Sequence, residues 1–145
     1  MDAPRPILAA DLLDQRNRHL GHLLLSDRAP SYLSILLEML AFRRHYVAEP
    51  LHDDLYHALC AALPEGTLYS AEQFNQDMRQ LLDWNLVADR IEKERLRGYK
   101  DTRRRKFRYL ILDETVAFLL WLEARRRDDL EPNDADTRDL LSELA

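Results

Sequence analysis

Cysteine and long apolar runs are scarce in this 145-residue sequence, and each scarcity excludes a class of protein. The single cysteine, Cys60, cannot form a disulfide framework or a cysteine-based zinc site, so we expect a reducing, cytoplasmic environment. The apolar residues around Cys60 predict that it is a small buried side chain. No apolar run approaches the roughly 20 residues that span a membrane, and the N-terminus lacks a signal-peptide pattern. We expect no membrane partner.

The sequence motifs of common active sites are missing as well. The 3 glycines form no phosphate-binding loop, and no nucleophile elbow or Ser–His–Asp order occurs. His19 and His22 lie three residues apart and could share a helix face, but no further ligands follow at zinc-site spacing. We therefore expect no enzymatic activity, no catalytic residue, no metal and no cofactor.

The composition that remains is that of one globular domain. Apolar residues make up 46% of the chain, enough for a core, and 32% of the residues are charged. The net charge of -5 argues against a polycation that binds nucleic acid with its whole surface.

Apolar residues at helical spacing predict helices through the first half of the chain. Helices are expected over residues 7–25, 31–46 and 51–63, and Pro64 to Gly66 ends the third. Ser70 is expected to cap a fourth helix, with Gln73 at the spacing of a reciprocal capping box.

Two short strands with a basic hairpin between them are predicted after the fourth helix. Phe107, Tyr109 and Ile111 alternate with residues of the other face, which is typical of a strand. The segment from Leu86 to Ile91 is a weaker strand, with Leu86 and Ala88 expected on one side.

Another helix is predicted after the second strand, from an N-cap at Asp113 to about Arg127. A further helix begins near residue 135 and reaches the last residue without a terminator. We expect from this that the sequence is cut from a longer protein.

The order of helix, strand, basic turn and strand is that of the second half of a winged helix. We therefore predict a mainly α fold with a small β-hairpin, namely a winged helix-turn-helix with flanking helices. The expected division is an N-terminal helical segment at 1–29, a winged-helix domain with its C-terminal helix at 30–127, and a linker with the start of a further helix at 128–145.

The predicted hairpin is strongly basic. Ten basic and three acidic residues lie between Arg90 and Arg108, a net charge of +7 in a chain of -5. Such a hairpin neutralises phosphates without reading sequence, so we predict weak, sequence-independent DNA binding. The alternative is a solvated hairpin whose charge protects the sheet edge. The candidate DNA-binding residues are Lys100, Arg103, Arg104, Arg105 and Lys106.

The fourth helix carries the opposite charge. Its charged residues, Glu72, Asp77, Arg79 and Asp83, sum to -2. Helices in the major groove usually present Arg, Lys, Asn or Gln to base edges, so this charge disfavours sequence-specific readout.

The helix predicted from Asp113 to about Arg127 is apolar on too many sides for a small domain. The run from Phe118 to Leu122 is apolar on nearly every side, which indicates cover from a second subunit or from the N-terminal helix. We predict a homodimer. Its candidate interface residues are Leu20, Leu23, Leu24, Phe118 and Trp121.

Two segments resemble a known family. The helix end Leu81-x-x-Trp84-x-Leu86 leads into a basic turn and then into the run from Arg103 to Leu110. This pattern resembles the N-terminal winged-helix region of bacterial kleisins of the MukF/MksF type, including the JetA subunit of Wadjet plasmid-defence systems. The resemblance covers roughly residues 30 to 127.

The resemblance implies an N-terminal dimerisation domain in an SMC-like, condensin-like complex that acts on DNA in chromosome organisation or plasmid defence. Its implied partners are an SMC-like ATPase and a MukE-like winged-helix subunit, bound mostly through regions beyond residue 145. The acidic fourth helix agrees with this assignment. The alternatives are a winged-helix DNA-binding transcription regulator and a protein-interaction module that does not touch DNA.

Overall fold

A computed structural model describes residues 6–92 and 106–130, without the side chains of 92, 106 and 128–130. In this part of the chain, five α-helices and one antiparallel hairpin form a winged helix, which confirms the predicted fold class. The elements in chain order are a 3₁₀ turn at Ala9–Leu12, α1 (Gln15–Leu25), α2 (Ala29–Arg44), α3 (His52–Ala62), α4 (Ala71–Asp83), β1 (Val87–Glu92), β2 (Lys106–Ile111) and α5 (Asp113–Leu130).

The chain forms two compact units, Met1–Leu112 and Asp113–Ala145. The first unit contains the 3₁₀ turn, α1 to α4 and the hairpin, and the second contains α5. Each helix of the first unit buries one apolar stripe. The buried side chains of this core are Leu23, Tyr32, Ile35, Leu36, Met39, Leu40, Leu55, Leu59, Phe74, Met78, Leu81, Leu86, Val87, Tyr109 and Ile111.

The third strand of the winged-helix sheet is reduced to a single bridge. Leu51, just before α3, pairs antiparallel with Arg108 of β2, and the N–H of Tyr109 donates to the carbonyl of Pro50 at 3.1 Å. Proline has no N–H to donate, so it suits this edge position, where only its carbonyl is used. The bridge fixes the start of α3 against the hairpin.

The helix predicted over residues 7–25 is interrupted. Its first turn is 3₁₀, and α1 begins only after Asp14, whose carboxylate accepts from the N–H of Asn17 at 2.8 Å. The Asn17 side chain in turn donates to the carbonyl of Leu12 at 2.7 Å. Aspartate favours the cap position over a helix interior, because its side chain replaces a missing backbone acceptor.

The capping box predicted at α4 is half present. The hydroxyl of Ser70 accepts from the N–H of Gln73 at 3.1 Å, as expected. The amide of Gln73, however, donates to Asp77 Oδ1 at 3.0 Å. A buried carboxylate one turn later competes successfully for this side chain.

Two burial predictions are wrong. Cys60 is exposed, because Leu55 and Leu59 define the buried stripe of α3 and the next residue is rotated by about 100°. In β1, Val87 and not Ala88 joins Leu86 in the core. The apolar character of a short run does not decide which of its faces points inward.

Two helices end in the same backbone motif with very different residues at its critical position. After α4, Asn85 has φ 56°, and the N–H of Leu86 donates to the carbonyl of Leu81 at 3.1 Å. After α2, Tyr46 has φ 67°, and the N–H of Val47 donates to the carbonyl of Phe42 at 2.9 Å. Both are Schellman motifs, in which glycine, or sometimes asparagine, normally occupies the left-handed position.

Tyr46 is an exception to this preference, and packing does not explain it. Left-handed backbone costs an ordinary residue about 1 kcal/mol or more. The Tyr46 side chain is 98% exposed, so burial does not offset that cost.

We expect Tyr46→Gly to raise the free energy of unfolding by about 1 kcal/mol, because glycine adopts the left-handed conformation without strain. Asn85→Gly is the matched control at the equivalent helix end, and it should gain less, because asparagine already tolerates this conformation. Urea denaturation of both variants and the parent measures the difference. A Tyr46→Gly protein that is less stable than the parent would contradict this account.

Candidate nucleic-acid interface

In a winged helix, α4 and the hairpin form one surface, and the register of the hairpin decides which side chains face where. Asp89 pairs with Tyr109, and Arg90 pairs with Arg108. Since alternate residues point to opposite faces, the inner face carries Asp89 and Tyr109, and the outer face carries the two arginines.

The inner face closes a groove of about 400 Å³ against α4 and the start of α3. The groove is lined by both apolar and polar side chains. Its lining residues are His52, Asn75, Met78, Arg79, Leu82, Asp89, Phe107 and Tyr109. One cation, one anion and an amide thus face the same space, and Asn75 and Arg79 reach it together because they lie one helical turn apart.

A hydrogen bond of 2.6 Å joins Nδ1 of His52 to the hydroxyl of Tyr109 at one end of the groove. Burial lowers the pKa of His52, although the carboxylate of Asp53 opposes this effect. Burial also raises the pKa of Tyr109 to about 12, with help from the carboxylates of Asp89 and Asp53. Both rings are therefore neutral near pH 7, which suits a role in holding α3 to β2.

The outer face is anchored to the segment between α2 and α3 through Glu49. Arg90 Nη2 lies 2.6 Å from Glu49 Oε2, and Arg108 Nη1 donates to the carbonyl of Glu49 at 3.0 Å. Arg90 thus meets the carboxylate of Glu49, and Arg108 meets the main-chain carbonyl of the same residue. Arg90 retains 64% exposure of its side chain despite the ion pair.

The charge predicted for α4 needs correction, because Asp77 points inward. Asp77 is 1% exposed and accepts a bidentate pair from Arg28, with Nε to Oδ1 at 2.8 Å and Nη2 to Oδ2 at 2.7 Å. Tyr69 and Gln73 also donate to it. Without Asp77, the exposed charges of α4 are Glu72, Arg79 and Asp83, a net of -1.

Arg28 and its partners hold Asp77 in its ionised form. Burial alone would raise the pKa of this carboxyl, but the hydrogen bonds from Arg28, Tyr69 and Gln73 hold it below its ordinary value. The sequence pattern did not predict this cluster. A signal was present, because Asp77 lies three residues after Phe74 and four before Leu81, on the apolar stripe of α4.

Most of the predicted DNA-binding residues lie outside the described residues. This applies to Lys100, Arg103, Arg104 and Arg105. Lys106 is the first residue of β2 and pairs in register with Glu92, and the structure describes only its backbone.

The predicted interface residues fall into three groups. Leu23 is 0% exposed and belongs to the core of this chain. Leu20 and Phe118 are half-buried. Leu24 is 43% exposed and Trp121 is 51% exposed, with the guanidinium of Arg125 4.9 Å from the Trp121 ring centre.

The N-terminal segment exposes more apolar surface than its sequence pattern predicts. Its exposed side chains are Ile7, Leu8, Leu12, Leu13, Leu24 and Leu25. The interruption at Asp14 splits the expected single stripe, which is why these residues do not all share a buried face.

The histidines predicted to share a helix face have local roles. The rings of His19 and His22 lie 6.3 Å apart, and Nδ1 of His19 donates to the carbonyl of Trp84 at 2.7 Å. Among residues 6–92 and 106–130, no group of three or more His, Cys, Asp or Glu side chains could hold a metal ion. Within the same ranges, no helix has the length and apolar character needed to cross a membrane.

The half-buried His52 predicts a pH dependence of stability. Because folding depresses its pKa, the protein has the full contribution of neutral His52 above pH 6.5, the ordinary histidine value, and loses it as the pH falls through the lower folded pKa. We expect His52→Gln to flatten the decline of the unfolding free energy below pH 6.5. His57→Gln, at an exposed position of the same helix, is the control and should leave the decline unchanged. Urea titrations at several pH values measure it, and equal declines in parent and His52→Gln would refute it.

Comparison with known proteins places the chain in a family. No curated protein and no solved structure matches it significantly. A family model described as "Protein of unknown function (DUF2397)" matches residues 22–139, which include α2 to α5 and the hairpin. The chain therefore belongs to the DUF2397 family.

Proposed function

We propose that this chain is the N-terminal winged-helix dimerisation domain of a kleisin-type subunit in an SMC-like complex of the MukBEF, MksBEF or Wadjet type. The complex would act on DNA in chromosome organisation or plasmid defence, in the cytoplasm. The domain would be a homodimeric scaffold that touches DNA weakly and carries out no chemistry. An SMC-like ATPase and a MukE-like winged-helix subunit would bind elsewhere in the longer subunit.

The observation that carries this proposal is the corner between α4 and β1, where the kleisin-like residues lie. Leu81 and Leu86 are buried on either side of it, and the Trp84 ring packs edge-on against Tyr32 at 5.3 Å. The left-handed Asn85 turns the chain sharply between them. Leu81, Trp84 and Leu86 thus lie at the corner from which the wing leaves the core, where the wing is β1, β2 and the connecting residues 93–105.

The electrostatics of the wing support a contact with phosphates. Arg90 and Arg108 share its outer face, and the sequence adds the basic residues of the connecting segment. Arginine and lysine that meet phosphates release counterions, which gives affinity without sequence readout. The exposed net charge of -1 on α4 adds no attraction of its own.

Exposed apolar residues support self-association. Trp121 and Leu120 of α5 are 51% and 44% exposed, and the N-terminal segment exposes Leu12 and Leu24. Each of these two segments exposes large apolar side chains that a partner surface could cover. A second copy of the chain is the proposed cover.

A transcription regulator is the second candidate, and the burial of Asp77 favours it. With that carboxylate turned inward, the exposed face of α4 presents Asn75, Gln76 and Arg79, which are suitable side chains for base edges. A strong preference for one duplex sequence would select this candidate over the kleisin role.

We expect DNA binding to depend on the wing arginines. If about four phosphates are neutralised, log K should fall with log salt at a slope near -3.6. Replacing Arg103, Arg104 and Arg105 by glutamate should weaken binding to every duplex alike. Fluorescence anisotropy with random and defined duplexes at low salt measures both quantities.

The control for this experiment is a second arginine triplet. Arg125, Arg126 and Arg127 are exposed on α5, and their replacement by glutamate changes the net charge equally. Binding should survive this change. Equal DNA binding by the Arg103–Arg105 variant and the parent would contradict DNA binding through the wing. A preference of orders of magnitude for one duplex sequence would favour the transcription regulator instead.

We expect a homodimer at micromolar concentration that buries more than roughly 2,000 Å² in total. If α5 forms the interface, Trp121→Asp should produce monomers. If the N-terminal segment forms it, the double change Leu12→Asp with Leu24→Asp should do so. Leu68→Asp is the control, because Leu68 is 98% exposed and lies outside both surfaces. Multi-angle light scattering measures the mass, and a monomeric parent protein contradicts the dimer.

A further inference from the structure

Tyr46 stands out on the surface because its backbone conformation is costly and no packing among the described residues offsets that cost. The residue closes the Schellman motif of α2 with φ 67°, and its side chain is 98% exposed. At the matching end of α4, asparagine fills the same position at less cost. Residues held in such conformations without a packing reason are frequently part of functional sites.

The residues before Tyr46 are cationic. Arg43 and Arg44 form the last turn of α2, His45 follows, and all three are exposed. Their position at a helix C-terminus suits positive charge, since the helix dipole is negative there. The segment Arg43–Tyr46 thus carries an exposed aromatic ring within three residues of two exposed guanidinium groups.

This segment is joined to the base of the wing. Three residues after Tyr46, Glu49 pairs with Arg90 at 2.6 Å and accepts from Arg108 at 3.0 Å. The following carbonyl, that of Pro50, is bonded to β2. The segment that carries the ring and its arginines is therefore linked, through Glu49 and Pro50, to the two arginines of the hairpin's outer face.

We propose that the segment Arg43–Tyr46 binds single-stranded DNA, with an unpaired base stacked on the Tyr46 ring and the adjoining phosphates on Arg43 and Arg44. This inference deepens the proposed function and rests on it for the choice of DNA as the nucleic acid. A duplex keeps its bases stacked on each other, so a protruding ring gains most from a strand whose bases are free. An acidic protein segment would use the two arginines but has no need of the ring.

The stacking contribution has a clear signature. Base–aromatic stacking at one base accounts for about a tenfold change in affinity. Tyr46→Gly should therefore weaken binding of a labelled oligothymidylate about tenfold, while its Tm rises by about 3 °C because the backbone strain is relieved. Tyr46→Phe keeps the ring and should bind within about twofold of the parent. A loss of binding together with a gain of stability separates a ligand contact from a structural role.

An abasic oligonucleotide of the same length separates stacking from charge. The parent should bind this probe about as weakly as Tyr46→Gly binds oligothymidylate, and Tyr46→Gly should bind both probes alike. Arg43→Gln with Arg44→Gln should weaken both probes. If the parent binds the two probes equally, or if Tyr46→Gly retains oligothymidylate binding, the proposal is overturned. Polyglutamate bound as tightly as oligothymidylate, with the same loss in Tyr46→Gly, would also overturn it in favour of an acidic protein partner.

Duplex binding distinguishes this site from the proposed function. Tyr46→Gly should leave random-duplex binding unchanged, and the Arg103–Arg105 variant should lose it. If duplex binding is absent in the parent but oligothymidylate binding depends on Tyr46, the wing contact fails and the stacking site stands. If duplex binding depends on the wing and oligothymidylate binding ignores Tyr46, the stacking site fails alone.

Discussion

A buried carboxylate holds three parts of the winged helix in place. Asp77, on the inner side of α4, accepts from Arg28 ahead of α2, from Tyr69 before α4 and from Gln73 one turn earlier. An ion buried without partners costs several kcal/mol, so α4 can pack against the core only when these donors are in position. The pairing thereby fixes the rotation of α4 about its axis, and that rotation decides which of its side chains reach solvent.

The side chains that α4 and the hairpin expose depend on that rotation. With Asp77 inside, Asn75 and Arg79 face the groove beside the hairpin, and the chain leaves α4 through the left-handed Asn85. That turn sets the direction of β1, whose register with β2 places Arg90 and Arg108 on the outer face. The pairing of Asp77 with Arg28 in the core thus influences where Arg90 and Arg108 lie at the candidate interface.

The sequence pattern predicted the kinds of elements well, because apolar periodicity reflects a requirement that every helix and strand shares. It predicted the alternation of Phe107, Tyr109 and Ile111 for that reason. It failed where two local interactions compete. Asp14 interrupts the helix predicted over residues 7–25, because its side chain caps α1. The pattern also counted Asp77 as a surface charge, although this carboxylate is buried. Ion pairs such as Arg28 with Asp77, 49 residues apart, depend on the tertiary fold and leave only a faint trace in the sequence.

The acidic total of the chain is compatible with a cationic binding surface because charges act locally. At physiological ionic strength, exposed charges more than about 8 Å apart are largely screened from each other. Phosphates near the hairpin therefore respond mainly to Arg90, Arg108 and the basic residues between them, and much less to the carboxylates of distant helices. The net charge of -5 instead disfavours non-specific adhesion elsewhere on the molecule. An uneven distribution of this kind confines contact with a polyanion to one face, and it orients the domain as it approaches.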